Sequence, residues 1–210
     1  MKKAWLVRPI PHGINRVSEF KNEGIVAVGW PLIGDLAKKS REELKQLLSK
    51  KPYALDGLAL GNAYATIDIF VNQIEIGDLV LMPDGEDIYF GEIASDYYFD
   101  SAIKSQNGGY PHQRTVNWLS NTSRKSLSMN LRRSLKAHRT TANLSHHAKE
   151  IEALCRGEKI AETEFPQSST ISVSYPLRPD FTISFEIPYD ITSDEAKRLG
   201  TYFTSLYFKE

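Results

Sequence analysis

Gly77-Asp78-Leu79-Val80-Leu81-Met82-Pro83 and Ile88-Tyr89-Phe90-Gly91-Glu92-Ile93-Ala94 are two apolar runs of strand length on either side of Asp84-Gly85-Glu86-Asp87, a turn signal. The pattern predicts a β-hairpin or meander. Outward from it, Tyr97-Tyr98-Phe99 continues in extended form. Beyond a Gly108-Gly109 loop, Arg114-Thr115-Val116-Asn117-Trp118-Leu119 alternates polar and apolar residues, as a half-buried strand does. Toward the N-terminus, Gly24 to Trp30 is β-branched, glycine-bounded and too short for a helix. Ala4-Trp5-Leu6-Val7 is a first strand, stopped by Pro9 and Pro11 before a polar loop from His12 to Arg16.

Helical signals fall between these strands. Ser40-Arg41-Glu42-Glu43 is a capping box, and Leu44, Leu47 and Leu48 follow at helical spacing, which predicts a helix over 41–50. Asn62 is placed as the cap of a second helix carrying Ile67, Phe70, Val71 and Ile74. Leu127, Leu131 and Leu135 predict a third with Arg132, Arg133 and Lys136 on its wet side, and Ser145 caps a fourth that ends near Arg156. The expected class is α+β: a curled sheet or pseudo-barrel with inserted helices over residues 1–156. Gly157, the polar run from Glu158 to Glu164 and Pro166 mark a boundary. Residues 157–210 form a ββα appendage, with strands over Thr170–Tyr175 and Phe181–Ile187 separated by Pro176–Asp180. A capping box, Thr192-Ser193-Asp194-Glu195, opens its helix, and Ala196, Leu199, Phe203 and Leu206 follow. So small a tail buries little by itself and is expected to pack on the main body or to mediate contact with a partner.

With 41% hydrophobic and 25% charged residues over 210 positions, the chain has the composition of a globular protein rather than a disordered or collagenous one. Its mean hydropathy is −0.37. No apolar run reaches membrane-spanning length, and Arg8, Pro9 and Pro11 stand where a signal peptide's apolar stretch would lie, so a cytoplasmic protein is expected. Cys155 is the single cysteine, which excludes an internal disulfide framework. The formal net charge of zero hides an uneven distribution. Residues 1–100 carry 11 Lys+Arg against 15 Asp+Glu, and residues 150–210 carry six against eleven. Residues 101–149 carry nine (Lys104, Arg114, Arg124, Lys125, Arg132, Arg133, Lys136, Arg139, Lys149) and no carboxylate side chain. A cationic stretch of this kind points to a polyanionic partner such as nucleic acid.

Several chemistries are excluded by their missing parts. There is no Walker A sequence, no G-x-G-x-x-G after a predicted strand and no G-x-S-x-G. Cys155 lacks a base close by on its own helix, because His146 and His147 lie about two turns away. The His146-His147 pair lacks a ligand at i+3 or i+4, with His138 too far back and Glu150 a lone carboxylate. Neither Asp78 nor Glu92 is followed by the lysine of a D…(D/E)-x-K nuclease pattern, and both have structural explanations, Asp78 at a strand entry and Glu92 pointing out from a hairpin. No catalytic residue, metal ligand or cofactor is therefore assigned.

Aromatic residues offer a different lead. Trp30 ends a strand between Gly29 and Pro31, Trp118 lies inside the basic segment, and at least one of Tyr97, Tyr98 and Phe99 faces away from the core. Indole and phenol rings stack on bases while Arg and Lys neutralise phosphates. The candidate base pocket is Trp30, Tyr98, Trp118, Tyr97 and Asn15; the candidate phosphate contacts are Arg114, Arg124, Lys125, Arg132, Arg133 and Arg8.

Gly29-Trp30-Pro31 with Gly34-Asp35-Leu36, then Ile76-Gly77-Asp78-Leu79-Val80, Phe90-Gly91-Glu92-Ile93, Asp96-Tyr97-Tyr98-Phe99-Asp100, and Tyr110-Pro111-His112-Gln113-Arg114 leading to Val116-Asn117-Trp118-Leu119, form an ordered set. Over residues 4–150 it resembles the PUA-like barrel related to EVE and YTH domains, found at the N-terminus of some modification-dependent restriction endonucleases. The resemblance implies a binding module that holds a flipped, methylated base in an aromatic cage, in a restriction or defence setting, with Trp30 matching the segment after the second strand. Those relatives carry a nuclease domain after the barrel; here the ββα tail follows instead, which favours a stand-alone reader or a subunit that recruits an effector. The expected partner is nucleic acid, DNA in preference to RNA, with an effector protein or a second copy meeting the tail, and no membrane. Two other classes stay open: an assembly module without ligand binding, and a nucleic-acid-processing enzyme.

Overall fold

Seven strands build the sheet of the first unit: β1 (Ala4–Val7), β2 (Ile25–Val28), β3 (Leu79–Asp84), β4 (Asp87–Ile93), β5 (Tyr98–Phe99), β6 (His112–Ser123) and β7 (Thr141–Asn143). This computed structural model describes residues 2–103, 108–136, 139–158, 170–188 and 191–205. Lys104, His138, Pro166 and Leu206, which the sequence reading used, lie outside them. Contacts divide the chain into two compact units, residues 1–160 and 161–210.

The strand order is β2-β6-β4-β3-β1-β7, with β5 also on β6; β1 and β3 run parallel and the other pairs antiparallel. Two features curl this mixed sheet into a half-barrel. His112 to Thr115 of β6 pair with β2, whereas Val116 to Ser123 pair with β4, and the β4–β6 register shifts between Phe90 and Gly91. Gly91 is required there, since a Cβ on it would stand 2.9 Å from the Asn117 carbonyl and 3.0 Å from the Trp118 ring.

All four residues of β1 are buried because both faces of the sheet are covered. Ala4 and Leu6 join Leu81, Phe90, Leu131, Ile151 and Leu154 under α4 (Met129–Ser134) and α5 (Ala148–Cys155), while Trp5 and Val7 join Val26, Val28, Phe70, Ile74 and Val116 on the concave side. Each such large side chain contributes about 1.5–3 kcal/mol on burial. Asp78 is buried as a structural acceptor, taking Trp5 Nε1 at 2.7 Å and the backbone N–H groups of Glu75 and Lys3.

Before these two helices come α1 (Val17–Glu23), α2 (Arg41–Ser49) and α3 (Gly57–Asp68). The Ser40/Glu43 capping box opens α2. The others correct the sequence reading. α1 fills residues 17–23, between the polar loop and the second strand, where the sequence reading assigned no element: Val17 and Phe20 are buried on one face, and Gly24 closes the helix at φ 64°. α3 begins five residues before Asn62, with Asp56 at its N-cap, so Asn62 lies inside the helix. A π-helical turn, Ile69–Gln73, continues it. Ser145 does not cap α5; it opens a 3₁₀ turn, and its hydroxyl accepts from Ala4 N–H at 3.2 Å.

The second unit consists of β8 (Thr170–Arg178), β9 (Phe181–Pro188) and α6 (Ser193–Ser205). The strands reach to within two residues of each other, so the turn is Pro179-Asp180, shorter than expected. One hairpin face pairs Ile171 with Ile187, Val173 with Phe185 and Tyr175 with Ile183; the other carries a Ser174–Ser184 hydroxyl contact at 2.8 Å. Thr192 and Glu195 make the reciprocal capping bonds before α6, and Phe185 meets Phe203 at 6.2 Å between ring centroids.

Candidate ligand cavity and cationic surface

β2 ends at Val28, and the chain turns sharply through Gly29 and Trp30 into a 3₁₀ turn at Pro31–Ile33. Trp30 has φ 65° and ψ 51°, a left-handed conformation that costs an L-residue about 1–2 kcal/mol. Gly29 permits the turn, because a Cβ there would lie 2.8 Å from His12 Nε2. The Trp30 carbonyl accepts from His112 Nε2 at 3.2 Å and from Ile33 N at 3.4 Å.

The half-buried Trp30 side lines a cavity of about 330 Å³. α3 supplies Ala59, Asn62, Ala63, Ala65 and Thr66, Leu55 and Ile69 flank the helix, and Arg139, Thr140 and Thr141 complete the wall. Thr66 and Thr141 turn their hydroxyls to helix carbonyls, Thr66 to Asn62 O at 3.0 Å and Thr141 to Thr66 O at 3.5 Å. The Asn62 carboxamide has no hydrogen-bond partner among the described residues. At about 300–1,000 Å³ for small-molecule sites generally, this is a hollow for one compact ring system rather than an extended ligand.

Arg8 fastens the Arg139–Thr141 wall. Its backbone N–H donates to Thr140 O at 2.8 Å, Nε to Arg139 O at 3.0 Å and Nη2 to Leu135 O at 2.7 Å. It is thus a structural strut rather than a phosphate contact, and burial lowers its pKa. Arg139 itself, and Arg124, Lys125, Arg132, Arg133 and Lys136, form no ion pair among the described residues. Glu150, the first carboxylate after the acid-free stretch, is engaged by Ser128 N–H at 2.8 Å and Ser128 Oγ at 2.7 Å at the start of α4. Met129, Arg132, Arg133 and Lys136 line a groove of about 340 Å³, in which Arg132 Nε is buried without a partner. Arg124 Nε is held by Gly85 O at 3.0 Å.

The structure corrects Arg114. It is 2% exposed, with Nε on Phe70 O at 2.8 Å, Nη2 on Val71 O at 3.0 Å and Nη1 on Ser95 O at 3.2 Å. The π-helical turn leaves those first two carbonyls without helix partners, and the guanidinium caps them; burial lowers its pKa. None of the other expected wall residues lines the cavity. Trp118 donates its indole N–H to Phe20 O at 3.2 Å and lies over Gly91. Tyr98 donates to Gln113 Oε1 at 2.9 Å, and burial raises its pKa. Tyr97 is half-buried with its hydroxyl among Leu36, Asp35 and His112. Asn15 binds Asp84 Oδ1 at 3.1 Å and takes Val17 N–H at 2.9 Å, which fixes the entry to α1.

Of the pocket set, then, Trp30 alone lines the cavity; of the phosphate set, Arg124, Lys125, Arg132 and Arg133 keep charge without a carboxylate partner among the described residues. Asn62 and Arg139 were missed. Arg139 belongs to the acid-free stretch, and Gly61-Asn62, two poor helix formers inside α3, were a signal for the other. Among the described residues no three His, Cys, Asp or Glu side chains converge on a metal-sized site, and no helix is long and apolar enough to cross a membrane. His146 and His147 lie against each other at 3.9 Å between ring centroids. Burial pushes the Cys155 thiol up to about 11.

No curated protein matches the chain. Among solved structures, the protein Atu2648 of Agrobacterium tumefaciens is similar at 14% identity, over 76% of this chain and 95% of that one, with a TM-score of 0.33. Residues 13–145, more than half the chain and inclusive of Trp30, α3 and the Arg139–Thr141 wall, match a family described only as a domain of unknown function, DUF8426, and the chain belongs to that family.

Proposed function

We propose that this protein is a non-enzymatic nucleic-acid-binding module, acting on DNA in preference to RNA, which takes a base turned out of its stack into the Trp30 cavity while the α4 surface holds the phosphates. On this reading the half-barrel is PUA-like, akin to EVE and YTH domains, and the base is a methylated one read in a defence setting. One observation carries the reading: Arg139 belongs both to the wall of an indole-lined, ring-sized cavity and to a set of cations that have no carboxylate partner among the described residues. An indole face gives about 1–3 kcal/mol per stacked base, and apolar Leu55, Ala59, Ala63 and Ile69 suit an added methyl group. Trp118, Tyr97, Tyr98, Asn15, Arg114 and Arg8 have no direct part in it.

The test is a titration of fluorescent oligonucleotides, methylated and unmodified, DNA and RNA, at two salt concentrations. Trp30→Ala is expected to erase discrimination between oligonucleotides and to spare part of the affinity. Arg132→Ala with Arg133→Ala is expected to weaken all of them alike and to reduce the salt slope by about 2. Binding that is indifferent to salt, or identical for wild type and Trp30→Ala, refutes the reading. A second reading, assembly of two copies through the tail, is favoured by the hairpin and α6, where Tyr175, Leu177, Phe181 and Tyr202 are each more than half exposed. Light scattering with and without residues 161–210 distinguishes it.

A further inference from the structure

His112 is fully buried, yet both ring nitrogens are engaged: Nε2 lies 3.2 Å from Trp30 O and Nδ1 lies 2.9 Å from the Tyr97 hydroxyl. A carbonyl only accepts, so Nε2 carries a hydrogen. Burial pushes the pKa of His112 down to about 4, so at neutral pH the ring is uncharged and Nδ1 holds a lone pair. The Tyr97 oxygen already accepts Leu36 N–H at 3.1 Å. Its single proton has two possible acceptors, His112 Nδ1 and Asp35 Oδ1 at 3.1 Å. The Asp35 carboxylate is exposed, solvated and also served by Ala37 N–H at 3.0 Å, whereas Nδ1 is sealed from water, so the proton goes to the ring.

We infer that Tyr97 is a positioning residue of the Trp30 cavity: by donating to His112 Nδ1 it fixes the tautomer whose Nε2–H holds the Trp30 carbonyl, and with it the left-handed turn that presents the indole to the cavity. The other tautomer would set a nitrogen lone pair against that carbonyl, and the strained peptide would lose its side-chain donor. The role of this chain in binding rests on the cavity being a ligand site; its role in fixing Trp30 does not.

The full-length protein is compared with Tyr97→Phe and with Tyr97→Phe/His112→Gln, whose amide restores a donor toward Trp30 O whatever occupies position 97. Long-range ¹H–¹⁵N spectra read the His112 tautomer, and 5-fluorotryptophan ¹⁹F spectra, assigned through Trp30→Phe, read the indole. The wild type is expected to hold the Nε2–H tautomer. Tyr97→Phe is expected to populate the other one, shift the Trp30 resonance while leaving Trp5 in place, and weaken oligonucleotide binding about tenfold at an unchanged salt slope, as the loss of one positioned bond does. The double variant is expected to recover the wild-type Trp30 resonance and most of the affinity. An Nδ1–H tautomer in the wild type, or a Trp30 resonance that Tyr97→Phe does not move, overturns the inference. Should the NMR changes occur while no oligonucleotide binds the wild type, the positioning role stands and the nucleic-acid reading falls.

Discussion

Arg114→Ala is expected to damage the fold rather than weaken contact with phosphate. The side chain, 2% exposed, makes three hydrogen bonds to the carbonyls of Phe70, Val71 and Ser95, the first of them fully buried. Hydrogen bonds to a charged donor contribute about 1.5–3 kcal/mol each, and the cost of burying the guanidinium offsets part of that. Truncation removes all three bonds, leaves the buried Phe70 carbonyl unsatisfied and opens a void beside Phe70, for a net loss of about 3–5 kcal/mol. For a unit of this size that lowers Tm by roughly 6–20 °C, at about 2–4 °C per kcal/mol. Arg114→Lys keeps the charge but not the planar fork, and is expected to fall between the two. Thermal and urea melts measure the loss, and oligonucleotide titrations of folded Arg114→Lys at two salt concentrations are expected to give the wild-type slope. An Arg114→Ala protein that melts within about 2 °C of wild type while losing affinity and salt slope would refute the capping role and return Arg114 to the phosphate surface.

Gly91→Ala forces a methyl group to within 2.9 Å of Asn117 O and is expected to destabilise the β4–β6 bulge by about 1–3 kcal/mol, measured as a lower urea midpoint. The low pKa of His112, about 4 against an ordinary 6.5, means the unfolded chain binds a proton there first. Stability from this group is therefore complete above pH 6.5, falls by about 3 kcal/mol as the pH drops toward 4, and levels off below; His112→Gln should flatten that part of a pH series of urea melts. Gly61→Ala adds a Cβ that meets nothing within 4 Å and should stabilise α3 by up to about 1 kcal/mol in a thermal melt. If a ligand approaches the α3 backbone there, the same variant binds oligonucleotides more weakly despite its higher Tm.

The hairpin of β3 and β4, the capping boxes of α2 and α6, and the half-buried alternation of β6 were legible because each is decided by neighbours within about ten residues. What was missed depends on partners far along the chain. The three residues of β7 carry no strand pattern of their own and exist because β1 offers a free edge, Trp5 opposite Asn143 and Val7 opposite Thr141. α1 is seven residues long, and its evidence, Asn15 before it and Gly24 after it, was divided between a loop and a strand. The charge count correctly isolated an acid-free segment, but a count does not tell a solvated arginine from a buried one. Arg114 sits opposite Val26 in the middle of a sheet, where its neighbours are carbonyls, and only the pairing of β6 with β2 reveals it.

Four described residues other than glycine are left-handed, His12, Trp30, Lys38 and Ala54, and two of them meet at the turn that carries the cavity's indole. Trp30 and His12 are both left-handed without being glycine, at φ 65° and 55°, and the His12 ring rests against Gly29. Gly61 and Asn62 weaken α3, Asn62 lining the cavity with Trp30, and the same helix ends in a π-helical turn that needs a buried arginine to close it. Each departure costs on the order of 1 kcal/mol or more. A site that must hold an indole at a fixed angle, with open space beside it, has a use for the strained turn at Trp30 and for a poor helix former at Asn62. That argument stands apart from the identity of the ligand, and it makes Trp30 the residue to replace first.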